Sequence, residues 1–136
     1  MRKVLLVLFV IVIGLVISAC TSQVSSTSLI GSWRLTAYGP AASPSPAVAD
    51  TQAGLTFEED GTLTGNGGCN GLGGEYTVEG NQITFGQIIS TLMACDSPIM
   101  DQESAVVQVL TGTADFSIGG DTVTLTNNDM VLVLTR

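Results

Sequence analysis

The chain contains no histidine, and this decides most of the chemistry that its other side chains could perform. A Ser-His-Asp triad, a Cys-His pair and most zinc sites need imidazole, so the sequence excludes hydrolysis by those routes. The candidates left for acid and base catalysis are carboxylates, of which Glu58, Glu59 and Asp60 are the closest in sequence. Adjacent acids on a turn point into solvent, so we predict no catalytic residue.

Two further patterns could bind a ligand: a glycine-rich run at residues 65–71 and acidic turns at residues 58–60 and 127–129. A phosphate-binding loop needs glycine where Asn70 stands and a helix directly afterwards, whereas the sequence predicts a β-hairpin there. Asp and Asn oxygens suit calcium, but neither turn has the ligand spacing of a known calcium loop. We therefore predict no cofactor and no metal, with a weak calcium site at the turns as the alternative.

The N-terminal segment is typical of an export signal. Met1-Arg2-Lys3 precedes an apolar run at residues 4–17, and Ile17-Ser18-Ala19-Cys20 resembles the lipobox of bacterial lipoproteins. The resemblance implies cleavage before Cys20 and a diacylglycerol on its thiol, which would anchor the protein in the cell envelope. In a source with two membranes, we expect the periplasmic face of the outer membrane. A permanent span would need about 20 apolar residues, more than this run supplies, and ordinary secretion is a second alternative.

Composition supports one small, acidic domain after this segment. Residues 20–136 keep two arginines against all 12 acidic side chains, a net charge of −10. Such a surface argues against nucleic acid as a partner, because phosphate binding needs clustered Lys and Arg. The polar stretch TSQVSSTS after Cys20 predicts a tether, so we divide the chain into a signal peptide (1–19), a flexible tether (20–28) and a folded domain (29–136).

Cys69 and Cys95 are the only other cysteines, 26 positions apart. If Cys20 is acylated, the two remaining cysteines of an exported chain are expected to form a disulfide. The loop-entropy model predicts that this disulfide stabilises the fold by about 3.5 kcal/mol. Two buried thiols or a redox-active pair are the alternatives, although the C-x-x-C spacing of redox pairs is absent.

Alternating apolar positions separated by turn residues predict seven or so short strands. Residues 31–38 predict the first strand, with Trp33 in the core, and the proline-rich residues 39–50 predict a long surface loop. Four turns should join later strands in hairpins; they lie at residues 58–61, 79–81, 119–120 and 127–129.

One segment has the period of a helix instead. Apolar residues recur on one helical face at Ile99, Val106, Val107 and Leu110, which predicts a helix over residues 98–110. Ser97 is the predicted cap and Gly112 the predicted stop, and the acidic residues near the start, Asp101 and Glu103, suit the helix dipole. The expected fold is mainly β (α+β), a small antiparallel β-barrel-like domain with one packed helix.

Four short segments are similar to motifs of the META domain, the HslJ-like family of bacterial lipoproteins. They are Gly68–Asn70, Gly74–Tyr76, Thr91–Cys95 and the pair Gln102-Glu103. The similarity extends over residues 29–136, with Leu92 standing where a longer polar residue is common. It implies a barrel-like envelope domain, often lipid-anchored and linked in some members to stress or antibiotic tolerance, with no established catalytic site. It gives structural roles to Gly68, Asn70, Gly74, Tyr76, Thr91, Met93 and Glu103.

These observations predict a non-catalytic, lipid-anchored envelope protein with a binding or structural role. Its expected partners are the membrane, through Cys20, and an unidentified envelope protein or small molecule. The alternative function is a small-molecule carrier, since a small β-barrel can enclose an apolar cavity. An enzyme would require two acids that converge in a cleft.

Overall fold

The structure, a computed structural model, describes residues 28–136, so the predicted signal peptide, Cys20 and the tether up to residue 27 lie outside the described residues. Within that range it has ten strands and one helix. They are β1 (Gly31–Pro40), β2 (Ser45–Pro46), β3 (Gly54–Phe57), β4 (Thr62–Asn66), β5 (Gly71–Glu79), β6 (Gln82–Phe85), β7 (Ile89–Ser90), α1 (Ser97–Val109), β8 (Thr113–Gly119), β9 (Thr122–Asn127) and β10 (Met130–Thr135). Among these residues, no helix has the length and apolar character needed to cross a bilayer.

Eight strands form a closed antiparallel barrel in the order β1, β3, β4, β5, β6, β8, β9, β10, with β10 returning to pair with β1. The closing pair includes Leu35 opposite Leu134. The short strands β2 and β7 lie beside this circuit, where β2 pairs with β1 and β7 pairs with β5. Closure removes the long unpaired edges that an open sheet would expose. The predicted mainly β, barrel-like fold with one packed helix is confirmed.

The turns that join the hairpins lie where the sequence predicts them. Residues 58–61, 80–81, 120–121 and 128–129 connect consecutive strands. Gly80, Gly120 and Asn128 adopt positive φ angles of 62°, 59° and 52°, which glycine and asparagine tolerate best. The local turn chemistry therefore fixes the strand order along this part of the chain.

The barrel interior is filled by apolar side chains from strands all around the circuit. Trp33 is 2% exposed, the helix adds Val106 and Val109 to the same cluster, and Leu110 joins it directly after the helix. The strands contribute Leu35, Leu55, Phe57, Leu63, Leu72, Ile83, Phe85, Ala114, Phe116, Val123, Leu125, Leu132 and Leu134. Each large side chain stabilises the fold by about 1.5–3 kcal/mol when fully buried, so this cluster dominates the favourable free energy of folding.

Helix α1 packs against β1, β9 and β10. Its residues also contact the points where β4 and β9 end, since Gln102 donates to the Gly67 carbonyl and Asn127 donates to the Val109 carbonyl. The predicted helix is confirmed, but two details of its start were wrong. Ser97 is the first helical residue, and the capping position belongs to Asp96, whose side chain makes no capping hydrogen bond. The first turn holds no acidic residue. Glu103 lies further along, where it faces the residues that follow β4 instead of the helix dipole.

The sequence predicted a loop for the whole proline-rich segment, but part of this segment forms a strand. Pro40 ends β1, and Ser45–Pro46 folds back as β2, with Pro46 opposite Ala37. Proline is tolerated there because β2 pairs on one side only, so a missing N–H breaks no ladder.

The C-terminal residue ties down the start of the domain. Arg136 donates from Nη2 to the carbonyls of Ser28 and Ile30, at 2.7 and 2.9 Å. Its guanidinium also lies 4.2 Å from the centre of the Trp33 ring, and the Trp33 indole N–H donates to the Leu29 carbonyl. Both ends of the described chain are therefore fixed at one place.

Candidate functional site

The site begins as a glycine corner between β4 and β5, at residues 66–70. Gly67 N–H donates to the carbonyl of Asn70, and Gly68 N–H donates to Oδ1 of Asn66. Gly68 has a φ of +124°, a backbone conformation that residues other than glycine rarely adopt. A Cβ atom on Gly67 would lie 2.7 Å from Cγ of Glu103. The two glycines therefore let helix α1 approach the corner directly.

Glu103 reaches from the helix into this corner and is only 8% exposed. Its Oε2 accepts the backbone N–H groups of Asn70 at 2.6 Å and Cys69 at 3.3 Å. Its Oε1 accepts Nδ2–H of Asn70 at 2.6 Å. A buried carboxylate is tolerated when donors surround it, so the corner supplies the solvation that Glu103 loses on burial.

Asn70 links the helix to the segment that follows β7. Its Oδ1 accepts the Thr91 hydroxyl at 2.8 Å and the Met93 N–H at 2.7 Å. Its Nδ2 donates to Glu103 and also to the Met93 carbonyl, at 3.1 Å. An asparagine side chain offers two donors and one acceptor oxygen, and all of them are used here. Asn70 is 2% exposed, so this bridge is shielded from water.

Gln102 performs a similar task on the neighbouring side of the helix. Its Nε2 donates to the Gly67 carbonyl at 2.8 Å, and its Oε1 accepts the Val48 N–H at 2.7 Å. The side chain is fully buried. It therefore fixes the segment after β2 against the same glycine corner.

The disulfide between Cys69 and Cys95 completes the cluster, as predicted, with Cα atoms 6.1 Å apart. It joins the corner covalently to the residue just before the capping position of α1. Within residues 28–136, every buried side-chain nitrogen or oxygen has a hydrogen-bond partner. The cluster is thus a closed polar network stapled by one covalent bond.

The fold brings together most of the predicted motif residues but not all of them. Gly68, Asn70, Thr91, Met93 and Glu103 meet in the network described above. Met93 takes part through its backbone alone, since its side chain is 57% exposed. The other two motif residues, Gly74 and Tyr76, lie along β5, outside this network.

Gly74 and Tyr76 have separate structural contacts. A Cβ atom on Gly74 would lie 2.8 Å from Cδ1 of Ile88, so glycine lets the segment after β6 pass close to β5. Tyr76 meets the Phe57 ring edge-on at 5.2 Å and donates from its hydroxyl to the Glu58 carbonyl at 2.7 Å. Burial, together with the charges of Asp60 and Glu58, raises the pKa of Tyr76 above its ordinary value.

The acidic residues Glu58, Glu59 and Asp60 lie on the exposed turn between β3 and β4. Hydrogen bonding from the Thr62 side chain and backbone N–H lowers the pKa of Asp60. Across the described part of the chain, no group of three or more Cys, Asp or Glu side chains is placed to hold a metal ion. The carboxylate of Asp60 stabilises the turn through its hydrogen bond with Thr62, and all three acidic residues are exposed to solvent.

The model of the META domain family matches residues 27–136. The chain belongs to the META domain family. The match includes every residue of the glycine corner, the disulfide and the Gln102-Glu103 pair, so the polar network lies wholly inside the META domain. A comparison with curated proteins found no significant match.

Solved structures resemble this META domain in fold. An NMR structure of a protein from Burkholderia xenovorans is 24% identical, covering 81% of this chain and 84% of that one, with a TM-score of 0.66. A second NMR structure is 17% identical and has the same TM-score, covering 82% of this chain and 94% of its own. A crystal structure of an uncharacterized protein from Bacteroides eggerthii is 15% identical, with coverages of 79% and 98% and a TM-score of 0.51. At these identities the likeness establishes the fold alone.

The burial of Gln102 is the feature of the META domain that periodicity missed. The apolar pattern marked Ile99, Val106, Val107 and Leu110 as one helical face, and positions 102 and 103 fall on that face. Polar residues on an otherwise apolar stripe are a signal for buried polar contacts. The structure shows that both side chains point inward to the corner.

Proposed function

We propose that this META domain protein is anchored by lipid in the cell envelope and acts through binding or structural support, without catalysis. The observation that carries the proposal is the burial and hydrogen bonding of the Glu103 carboxyl group. Glu103 is the one charged side chain buried among the described residues, and three N–H donors occupy its two oxygens. A carboxyl group engaged in this way supports the structure and is not free to transfer protons to a substrate.

The anchor in this proposal rests on the lipobox-like residues 17–20. The predicted tether places eight residues, 21–28, between Cys20 and the start of the folded domain at Leu29. At ~3.3 Å per residue, such a tether reaches up to about 26 Å, enough to hold the barrel clear of lipid headgroups. A contribution to envelope stress or antibiotic tolerance, as in some relatives, belongs to the same proposal.

The alternative function, a carrier with its ligand inside the barrel, has less support. The barrel interior is occupied by the side chains of the core cluster. Among them, Phe57, Leu63 and Leu125 are each 0% exposed. A ligand would have to displace this packing, at a cost that close-packed interiors do not readily allow.

The anchor is tested by Cys20→Ala in the full chain, with Ser25→Ala in the tether as the matched control. We expect Cys20→Ala to move the protein into the soluble fraction, while Ser25→Ala stays with the membrane. The intact mass of the membrane-extracted protein should show loss of residues 1–19 and added acyl chains. A Cys20→Ala protein that stays in the membrane, or an unacylated native protein, would contradict the proposal.

A further inference from the structure

The large apolar side chains that the described chain exposes are gathered in one short segment. Ile89 is 66% exposed, Leu92 96% and Met93 57%. We call residues 89–93 the apolar loop. Single exposed apolar residues are common on protein surfaces, but three within five positions form a patch of the kind that marks interaction sites.

The apolar loop is held firmly although its side chains face solvent. Asn70 binds the Thr91 hydroxyl and the Met93 backbone, and Thr91 N–H donates to the Gly71 carbonyl at 3.0 Å. The disulfide fixes Cys95 two residues later. A surface that is ordered before it meets a partner loses little conformational entropy on binding, which favours affinity.

The loop also carries a strand edge. Within it, β7 pairs with β5, with Ser90 opposite Leu72 and Ile89 opposite Gly73. No other strand of residues 28–136 pairs with β7. Beside it lies an open groove of about 410 Å³, lined by residues 71–73 and 89–91. An available edge next to an apolar groove is the arrangement that accepts an added strand from an extended peptide.

The surrounding charge indicates which peptide would fit. The exposed Glu75 lies on β5 two residues beyond Gly73, the partner of Ile89, and the exposed Asp96 follows the loop by three residues. The two arginines are elsewhere: Arg34 is on β1, and Arg136 is bound to Ser28 and Ile30. A basic segment is attracted to this surface, whereas a second copy of this acidic chain or an anionic lipid is repelled.

We propose that the apolar loop is a docking site for an extended segment of a partner protein, with apolar side chains interleaved with lysine or arginine. The segment adds to β7 as a further strand, its apolar side chains cover Ile89 and Leu92, and its cations face Glu75 and Asp96. This inference rests on the binding role proposed above and is independent of the lipid anchor.

The test measures binding of fluorescein-labelled peptides of about ten residues to the full chain purified from membranes. The probe alternates valine and lysine. One control peptide replaces lysine with glutamate, and the other carries N-methyl groups on alternate amides, which removes the donors that strand addition needs. We expect the probe to bind at least about tenfold more tightly than either control peptide.

Leu92→Ser and Ile89→Ser should each weaken probe binding at least about threefold, and together about tenfold or more. Both side chains are mostly exposed, so these variants should unfold at the same temperature as the native protein. Ala42→Ser, an exposed substitution on the segment after β1, is the matched control and should leave binding unchanged.

Several outcomes would overturn the inference. One is probe binding that survives the double substitution or is indifferent to N-methylation. Another is binding of the Cys20→Ala chain to phosphatidylcholine vesicles that depends on Leu92, with no peptide binding, which would make the loop a membrane contact. A dimer that depends on Leu92 would make it a contact between copies. The anchor hypothesis is judged separately by acylation, so either proposal can fail alone.

Discussion

At the scale of single residues, Glu103 and Asn70 join segments that are far apart in sequence. Glu103 binds residues 69 and 70, which precede it by 34 and 33 positions, and Asn70 binds the backbone of Met93, 23 positions later. Each hydrogen bond to a carboxylate contributes about 1.5–3 kcal/mol, more than a bond between neutral groups. Two side chains thus position the corner, the apolar loop and the helix together.

Glu103→Gln tests whether the corner needs both carboxyl oxygens. Glutamine keeps one acceptor but presents an NH₂ group where the second oxygen accepted a hydrogen bond, so one of the three donors loses its partner. Asn70 cannot rotate its amide to compensate, because its Oδ1 already accepts from Thr91 and Met93. We expect the free energy of unfolding in urea to fall by about 2–3 kcal/mol.

Glu79→Gln is the control for this measurement, since Glu79 is an exposed acid at the end of β5. Its substitution should change the free energy of unfolding by less than about 0.5 kcal/mol. Equal losses for the two variants would show that Glu103 has no special place in the fold.

At the scale of elements, the closeness of α1 to the glycine corner depends on an absent side chain. We expect Gly67→Ala to push the helix away from the corner, because the added Cβ would lie 2.7 Å from Cγ and 3.2 Å from Cα of Glu103. Such overpacking typically costs about 1–3 kcal/mol, which thermal unfolding followed by circular dichroism would detect.

Gly119→Ala is the matched control because a Cβ atom there would meet nothing within 4 Å. Gly119 ends β8 without a positive φ angle, so alanine fits its backbone. If Gly67→Ala unfolds at the same temperature as Gly119→Ala, the helix is not held against the corner as described.

The elements also show how far the sequence alone could predict this molecule. Turn residues such as Asp60-Gly61 and Asn128 indicate hairpins from the local sequence alone, so the positions of the strands they join were predictable. The strand β7 and the exposure of Leu92 were not, because they depend on Asn70, 22 positions earlier in the chain, holding the loop in place. The contacts of Gln102 were not predictable for the same reason, since its partners Val48 and Gly67 come from remote segments. The position of Gln102 on the apolar face of the helix indicates that its side chain is buried, but not which residues it contacts.

At the scale of the whole molecule, closure of the barrel combines with an uneven distribution of charge. The described residues carry all 12 acidic side chains of the chain but only two arginines. The strands that close the barrel are β1 and β10, and the contact of Arg136 with Trp33 lies where β1 begins and β10 ends. The acidic turn at residues 58–60 has no such cation and instead lies next to the Tyr76 hydroxyl. Ionisation of Tyr76 would add negative charge where it is already concentrated.

Stability should therefore fall at alkaline pH. Because the folded state raises the pKa of Tyr76 above its ordinary value of 10.0, the unfolded chain releases this proton at lower pH than the folded protein does. The contribution of Tyr76 to the free energy of unfolding is complete below about pH 10 and is lost as the pH rises toward the folded pKa. The loss is about 1.4 kcal/mol for each pH unit that separates the folded from the unfolded pKa. Urea unfolding at increasing pH measures this loss directly.

Tyr76→Phe separates ionisation from packing in this experiment. The variant keeps the ring against Phe57 but loses the hydrogen bond to the Glu58 carbonyl, so it should be about 1 kcal/mol less stable at neutral pH. Above pH 10 its stability should decline less steeply than that of the native protein, and the two curves should converge. Tyr38→Phe is the control for the loss of a tyrosine as such. An alkaline decline of unchanged slope in Tyr76→Phe would mean that ionisation of Tyr76 does not contribute to the loss of stability.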